Sequence, residues 1–306
     1  MTPPSSASRV SPAVPGVPGA PGPPADATLA SALAWARALG LDRLDAHSLL
    51  GHLLGQSRAW LIAHDDAPLP AAIAPRFASG CQRRADGEPL AYVLGEREFH
   101  GLTLHLTPEV LVPRPDTETL VDWALELLPT LDLIAPGRQP RVLDLGTGSG
   151  AIALAVAHGH PPAQVSATDF SPAALAVARA NATRLGLSLN TTCGSWWQAV
   201  APTQQFELVL SNPPYIAGDD PHLPTLRHEP IAALTPGGDG LSALRDIING
   251  AEPHLMPGGW LLLEHGWDQA DAVARCLKAA GFQAVTSRRD IEGRPRCTGG
   301  RSDPPA

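Results

Sequence analysis

Residues 141–156 read RVLDLGTGSGAIALAV, and this stretch restricts the fold more than any other. An apolar strand-like run meets Gly146, Gly148 and Gly150 and passes directly into a second apolar run with helical character. Glycine lets backbone N–H groups turn inward at positive φ, and the start of the following helix adds partial positive charge. Strand, glycine turn and helix in that order open a parallel sheet covered by helices on both faces.

The chain beyond repeats that alternation. AQVSATD reads as a strand, followed by a helix with Ser171 at its N-cap, Pro172 inside its first turn and Gly186 as its stop. LSLNTTCG, FELVLSN and GGWLLLEHG are three further strands, DQADAVARCLKAAG is a helix, and FQAVTSRRD with RPRCTGGR closes the sheet. Ahead of the first strand, TETLVDWALELL reads as a helix capped at Asp116 or Thr117 and ended by Pro129. Residues 116–302 therefore form one α/β domain.

The N-terminal part differs. From 27 to 97 apolar residues recur at three- and four-residue spacing, with Gly40 and Gly55 as stops, which predicts a small all-helical domain. Residues 98–115 alternate around Phe99, Leu102, Leu104 and Leu106 and read as a hairpin linker. Residues 1–26 are rich in Pro, Gly, Ser and Ala, lack the features of a signal peptide and cannot build a core. They read as a disordered tail, and 303–306 as a frayed end.

Net charge decides against one class of partner. With 22 basic and 30 acidic residues the chain carries −8, and Lys278 is its one lysine, so bulk attraction to nucleic acid or an anionic membrane is not expected. No apolar run reaches a membrane span. The four cysteines are scattered without a Cys-x-x-Cys pair, which argues against a zinc site or disulfide framework and for a reducing, cytoplasmic setting. No metal is assigned.

The glycine turn, Gly146-Thr147-Gly148-Ser149-Gly150, suits an adenosine-containing ligand, and Asp169 at the end of the second strand suits its ribose diol. The turn alone leaves two ligands open. Gly146-x-Gly148-x-x-Ala151 also satisfies a dinucleotide fingerprint. Asp144 lies two residues before the first glycine, where it holds either the ligand's amino group or the turn itself. Trp196-Trp197 follows the third strand, at the height of an adenine ring.

Residues 208–216, LVLSNPPYI, end the fourth strand on Asn212, Pro213, Pro214 and Tyr215. Two prolines fix φ near −65° and remove two N–H donors, leaving a stiff ledge of acceptors: the Asn212 side-chain oxygen and the Pro213 carbonyl. Tyr215 adds an aromatic plane. Such a ledge fits a planar NH2 group, both of whose hydrogens it can accept. If the glycine turn carries S-adenosylmethionine, the reaction is methyl transfer from sulfonium to that nitrogen.

These stretches together resemble class I methyltransferases that modify planar amino or amide nitrogens, and within them the release factor glutamine N5-methyltransferases, the HemK/PrmC family. YVLGEREFHG at 92–101, VPRPDTE at 112–118, LDLGTGSGAIALA, SNPPYI and RHEPIAALTPGGDGL at 227–241 carry the likeness. It implies a seven-stranded, Rossmann-like sheet with a helical substrate-docking domain in front of it. It also implies N5-methylation of the glutamine in the Gly-Gly-Gln loop of class I peptide chain release factors; separately from the resemblance, the chain is expected to be a monomer. By the same resemblance, residues 146–150, Asp169, Trp197 and Asn212 bind S-adenosylmethionine, and Asn212, Pro213, Pro214 and Tyr215 hold the glutamine amide and carry the catalysis. One departure is GRPRCTGGR, where the family more often has a hydrophobic strand core. The alternative substrates are a large-subunit ribosomal protein glutamine and a nucleic-acid amino group. Because the N-terminal tail cannot contribute to a core, removing residues 1–25 should leave turnover and melting temperature unchanged; a marked loss in either measurement would refute the reading of that tail.

Overall fold

The computed structural model describes residues 22–24, 26–134 and 139–302, which fall into two compact units, Met1–Leu94 and Gly95–Ala306. The predicted tail at 1–26 and end at 303–306 lie almost wholly outside the described residues. In the first unit, helices α1 (Leu29–Ala38), α2 (Arg43–Leu54), α3 (Arg58–Ala63), α4 (Ala74–Ala85) and α5 (Leu90–Leu94) surround a core that includes Leu33, Leu49, Leu50, Leu61 and Phe77. Their boundaries follow local chemistry. The Thr28, Asp42 and Ser57 side chains accept backbone N–H groups at the starts of the first three helices, and Gly55 ends α2 at φ +65°. Five residues give too little periodicity to announce a helix, and α5 is not visible in the sequence.

The second unit begins with a hairpin, β1 (Glu96–Phe99) and β2 (Leu102–His105), so the segment read as a linker keeps its contacts with the α/β unit. Helix α6 (Glu118–Ile134) precedes the sheet. Pro129 lies inside α6 and does not end it as the sequence suggested. Proline removes one helical hydrogen bond, but Leu128 and Leu131 on either side are buried, and their packing carries the helix through. After α6 the chain runs β3 (Arg141–Leu145), α7 (Ala151–Gly159), β4 (Gln164–Asp169), α8 (Pro172–Leu185), β5 (Asn190–Cys193) and β6 (Phe206–Ser211). It continues through α9 (Ser242–Gly250), β7 (Leu255–Glu264), α10 (Ala270–Ala279), β8 (Gln283–Arg289) and β9 (Pro295–Arg301).

Seven strands form one sheet in the order β5-β4-β3-β6-β7-β9-β8. The first five of these run parallel to one another, and β9 is antiparallel to both β7 and β8. The strand order reverses direction between β3 and β6, which opens a crevice at the carboxyl ends of those two strands. Below it, Leu143, Leu145, Val209, Leu261 and Leu263 pack against Leu244, Ile247 and Leu277 of the covering helices. Among the described residues no helix is long and apolar enough to cross a membrane.

The glycine-rich closing strand forms as predicted, and its lack of side chains has a packing reason. A Cβ on Gly299 would come within 2.9 Å of the Trp123 ring and 2.4 Å of Leu262, and one on Gly300 within 2.8 Å of Phe282. The neighbours provide the bulk that the strand omits. Gly299→Ala should therefore cost about 1–3 kcal/mol through overpacking, a drop of several degrees in melting temperature by calorimetry. An unchanged melting temperature would mean that Trp123 does not seat on β9.

Candidate active site

Two chain segments emerge side by side at the crevice. Leu145 of β3 is in register with Ser211 of β6, and the Ser211 hydroxyl donates to the Leu145 carbonyl at 2.6 Å. The next residue of each strand is Gly146 on one side and Asn212 on the other. Around them lies a cavity of about 300 Å3 bordered by Gly146, Gly148, Asp169, Trp196, Asn212 and Pro214, among others.

The glycine turn is held from beneath. The N–H groups of Gly146 and Thr147 both donate to the Thr168 carbonyl, and that of Gly148 donates to Asp169 Oδ2 at 2.9 Å. Gly146, Gly148 and Gly150 have φ of +74°, +55° and +84°, which a side chain would strain. Gly146 also faces the edge of Trp196, only 3.2 Å from where a Cβ would stand. Asp144 is fully buried; its Oδ2 accepts from the Thr147 hydroxyl at 2.7 Å and from Ala153 N at 3.2 Å. Burial lifts its pKa to about 7 against these two hydrogen bonds. Both of its identified donors belong to the turn and to α7, so its visible work is to hold the turn. Its Oδ1 has no partner among the described residues.

Asn181 of α8 ties the hairpin to the turn. Its Oδ1 accepts from His105 N at 2.7 Å, and its Nδ2 donates to the carbonyls of His105 and Ser149 at 3.0 and 2.9 Å.

This cradle fits an adenosine ligand. Asp169 is buried, which pushes its carboxyl upward, while Ser171 N on Oδ1 and Gly148 N on Oδ2 hold it down. Each oxygen keeps a lone pair for a ribose hydroxyl.

The two tryptophans divide their work differently from the reading that placed Trp197 at the adenine. Trp196 borders the cavity at φ +43°. Trp197 turns into the core: its Nε1 donates to the Ile247 carbonyl at 2.9 Å and its ring stacks on His254 at 4.9 Å. Gly250 leaves room for it. Sequence adjacency cannot say which of two neighbouring rings faces in; the left-handed backbone at Trp196 sets it.

On the ledge, Asn212 and Pro214 border the cavity, whereas Pro213 is buried. Tyr215 is directed away from the ledge's open side. It packs against the core, its hydroxyl donates to Glu264 Oε1 at 3.2 Å, and its carbonyl accepts from Gln269 Nε2 at 2.9 Å. Burial, with the neighbouring Glu264 charge, pushes its phenol well above the ordinary range.

The PRPDTE motif braces this ledge, a role that the sequence alone does not assign to its side chains. Arg114 pairs with buried Glu229 at 2.5 Å, and Val112 N donates to the same carboxylate at 3.1 Å. Asp116 pairs with Arg296 at 3.0 Å, and Arg296 also pairs with Asp290 at 3.1 Å. Thr117 accepts from Asn212 Nδ2 at 3.2 Å, and Glu118 accepts from His100 N at 3.0 Å. Four consecutive-motif side chains thus each tie down a different segment.

Comparison with known proteins finds matches over most of the chain. The chain matches the PrmC N-terminal domain over residues 27–95 and the methyltransferase small domain over residues 118–239. It is 52% identical over 264 residues to the release factor glutamine methyltransferase of Bordetella pertussis, covering 85% of this chain and 95% of that one. It is 50% identical over 280 residues to the enzyme of the same description from Burkholderia pseudomallei, covering 89% and 96%. Among solved structures, the hMettl16 catalytic domain in complex with MAT2A 3'UTR hairpin 1 superimposes with a TM-score of 0.54 at 16% identity, over 74% of this chain and 84% of that one. That last likeness concerns the fold alone.

The tryptophan assignment has a direct check. Trp197→Ala should destabilise the protein by about 3 kcal/mol or more, whereas Trp196→Ala should leave melting nearly unchanged and weaken an adenosine ligand by about tenfold. Melting curves and titration calorimetry on both variants separate the two; the reverse pattern would return Trp197 to the cavity.

Proposed function

We infer the function from a single premise: this chain belongs to the release factor glutamine methyltransferases. It is an S-adenosylmethionine-dependent enzyme that methylates the side-chain amide nitrogen of a glutamine in a release factor. We assign the target to the Gly-Gly-Gln loop of class I release factors and the reaction to the cytoplasm. The observation that carries the site assignment is the adjacency of the glycine turn and the Asn212 ledge at one sheet edge, set by the Leu145–Ser211 register.

Bound in the cradle, S-adenosylmethionine supplies a methyl group activated by a sulfonium. Residues 146–150 present their turn to that ligand, Asp169 accepts from its ribose hydroxyls, and Trp196 flanks its ring. Asn212 Oδ1 and the Pro213 carbonyl accept the two N–H bonds of the substrate carboxamide.

The chemical difficulty lies in the amide. Its nitrogen lone pair is delocalised, as the rotation barrier of about 18–20 kcal/mol reflects. Accepting both hydrogens raises electron density on nitrogen and opposes that delocalisation as the new bond forms. A ledge with no N–H at residues 213 and 214 puts no donor against the NH2 group. Fixed alignment of the two reactants supplies much of the remaining acceleration. Once nitrogen carries the methyl its proton becomes acidic, so a strong base is not needed in contact with it. The buried Tyr215 ring and the paired Arg114 and Glu229 stiffen the frame around the carboxamide.

Incubation with labelled S-adenosylmethionine and, separately, purified release factor, ribosomal protein, tRNA and DNA should put 14 daltons on the release factor's loop glutamine by mass spectrometry; label on another polymer would overturn the substrate. Asn212→Ala should lower transfer by about 100-fold or more while calorimetry finds S-adenosylmethionine affinity within a few-fold of the parent.

A further inference from the structure

Two exposed apolar side chains stand on turns bonded to the ledge, and the reaction above assigns them no part. Trp267 and Ile231 are each 61% exposed. A single apolar residue on a surface is ordinary and by itself means nothing. These two are set apart by what holds them. The turn Gly266-Trp267-Asp268-Gln269 after β7 is fastened by Gln269, whose Nε2 donates to the Tyr215 carbonyl at 2.9 Å and whose Oε1 accepts from Gly266 N at 2.8 Å. The helical turn Ile231–Ala233 is fastened to the next residue along: Ile216 N donates to the Leu234 carbonyl at 3.0 Å. Two consecutive residues, Tyr215 and Ile216, therefore each grip a turn, and each turn holds out one large apolar side chain.

Both turns are fixed. Just before Ile231, Glu229 is locked by Arg114 and by Val112 N, and the N–H groups of Leu234 and Thr235 both donate to the Ile231 carbonyl, at 3.0 and 3.1 Å. A Cβ on Gly240 would run into the Tyr215 carbonyl and stand 3.0 Å from Gln269 Nε2, so the loop before α9 closes on the other turn. Pro230, Ala232 and Ala233, the neighbours of Ile231, border the cavity, as Asn212 and Pro214 do. The other large apolar side chains exposed among the described residues have different places. Phe170 borders the adenosine half of the cavity, Leu44 and Ile62 belong to the helical unit, and Ile291 lies between β8 and β9.

We propose that Ile231 and Trp267 form an apolar lip that receives the polypeptide on either side of the target glutamine, and so determine specificity for a protein substrate. This rests on the reading that Asn212 holds the substrate amide.

The reach of the substrate side chain identifies the occupant. An extended glutamine spans roughly 5 Å from Cα to its nitrogen. A carboxamide seated on Asn212 therefore brings its own backbone down beside the ledge. The polypeptide continues in both directions from that point and has to rest on what flanks it, whereas free glutamine has no chain to cover the lip. Two glycines ahead of the assigned glutamine offer bare peptide planes. With no Cβ in the way, an indole face or a branched aliphatic side chain can lie flat against them. Water leaving both apolar surfaces supplies binding, and a lip that is already fixed loses little conformational freedom when it is covered.

The test uses the full chain with Trp267→Ala, Trp267→Phe and Ile231→Ser, on a class I release factor that the parent methylates. Trp267→Ala and Ile231→Ser should each raise KM for the release factor about tenfold, with kcat, S-adenosylmethionine affinity and melting temperature those of the parent. Trp267→Phe, which keeps a flat ring, should regain most of that loss. A parental KM in either truncation, or a fall in kcat at unchanged KM, would overturn the proposal. Oxidative footprinting needs no turnover. Without methyl donor, a saturating release factor should shield Trp267 from hydroxyl radicals, read by peptide mass spectrometry; full oxidation in the saturated complex would equally overturn it. If a different protein takes the label, the release-factor reading fails, and the same footprint with that protein judges the lip alone. Label on nucleic acid would overturn both.

Discussion

Everything at this site depends on a parallel pairing of two strands that are distant in sequence. β3 and β6 lie next to each other with Leu145 opposite Ser211, at the roughly 4.8 Å spacing of sheet neighbours. Parallel strands end on the same edge, so a glycine turn and a proline ledge separated by more than sixty residues leave the sheet together. A shift of one residue in that register would send the alternate side chains of β6 to the opposite face and carry Asn212 away from Gly146. The Ser211 hydroxyl on the Leu145 carbonyl pins the register where it matters, at the last pair. The buried leucines and valines on both strands make the pairing robust; the residues beyond it are freed from packing duty and are available for chemistry.

Around that edge the structure spends charge on bracing. Arg114, Asp116, Thr117 and Glu118 lie within five residues, and each engages a different segment: the loop before α9, the last strand, the ledge and the hairpin. Glu229 and Arg296 are largely buried, so these pairs sit where screening is weak and geometry counts. A buried ion pair adds little net stability against an apolar alternative, but breaking one leaves an uncompensated charge. The motif therefore acts as a clasp that holds loops to a defined position, which is what a site relying on alignment requires.

Much of this was readable in the sequence. Periodicity and turn chemistry located the alternating strands and helices, Ser171 and Gly186 bounded α8 as expected, and the two motifs at the sheet edge named the residues that meet there. The unread parts share a cause, which is dependence on tertiary partners. Pro129 looks like a stop until Leu128 and Leu131 are seen to be buried. Trp196 and Trp197 look equivalent until a single positive φ separates them. Glycines 299 and 300 look like a poor strand until Trp123 and Phe282 are seen to need their space. Thr117 is an ordinary polar residue in any linear reading; only the fold brings it against Asn212.

The Asn181 carboxamide gives one more consequence, in the chemistry of ageing. A single side chain holds the hairpin to the glycine turn by accepting once and donating twice. Hydrolysis of that amide to an acid would change almost nothing in shape, yet it would set a carboxylate against two carbonyls. Full burial shields the group from water for as long as the chain stays folded. Each transient opening therefore exposes to irreversible damage the one amide on which both neighbouring segments rely, and the lifetime of the cradle is tied to how seldom α8 lifts from the hairpin.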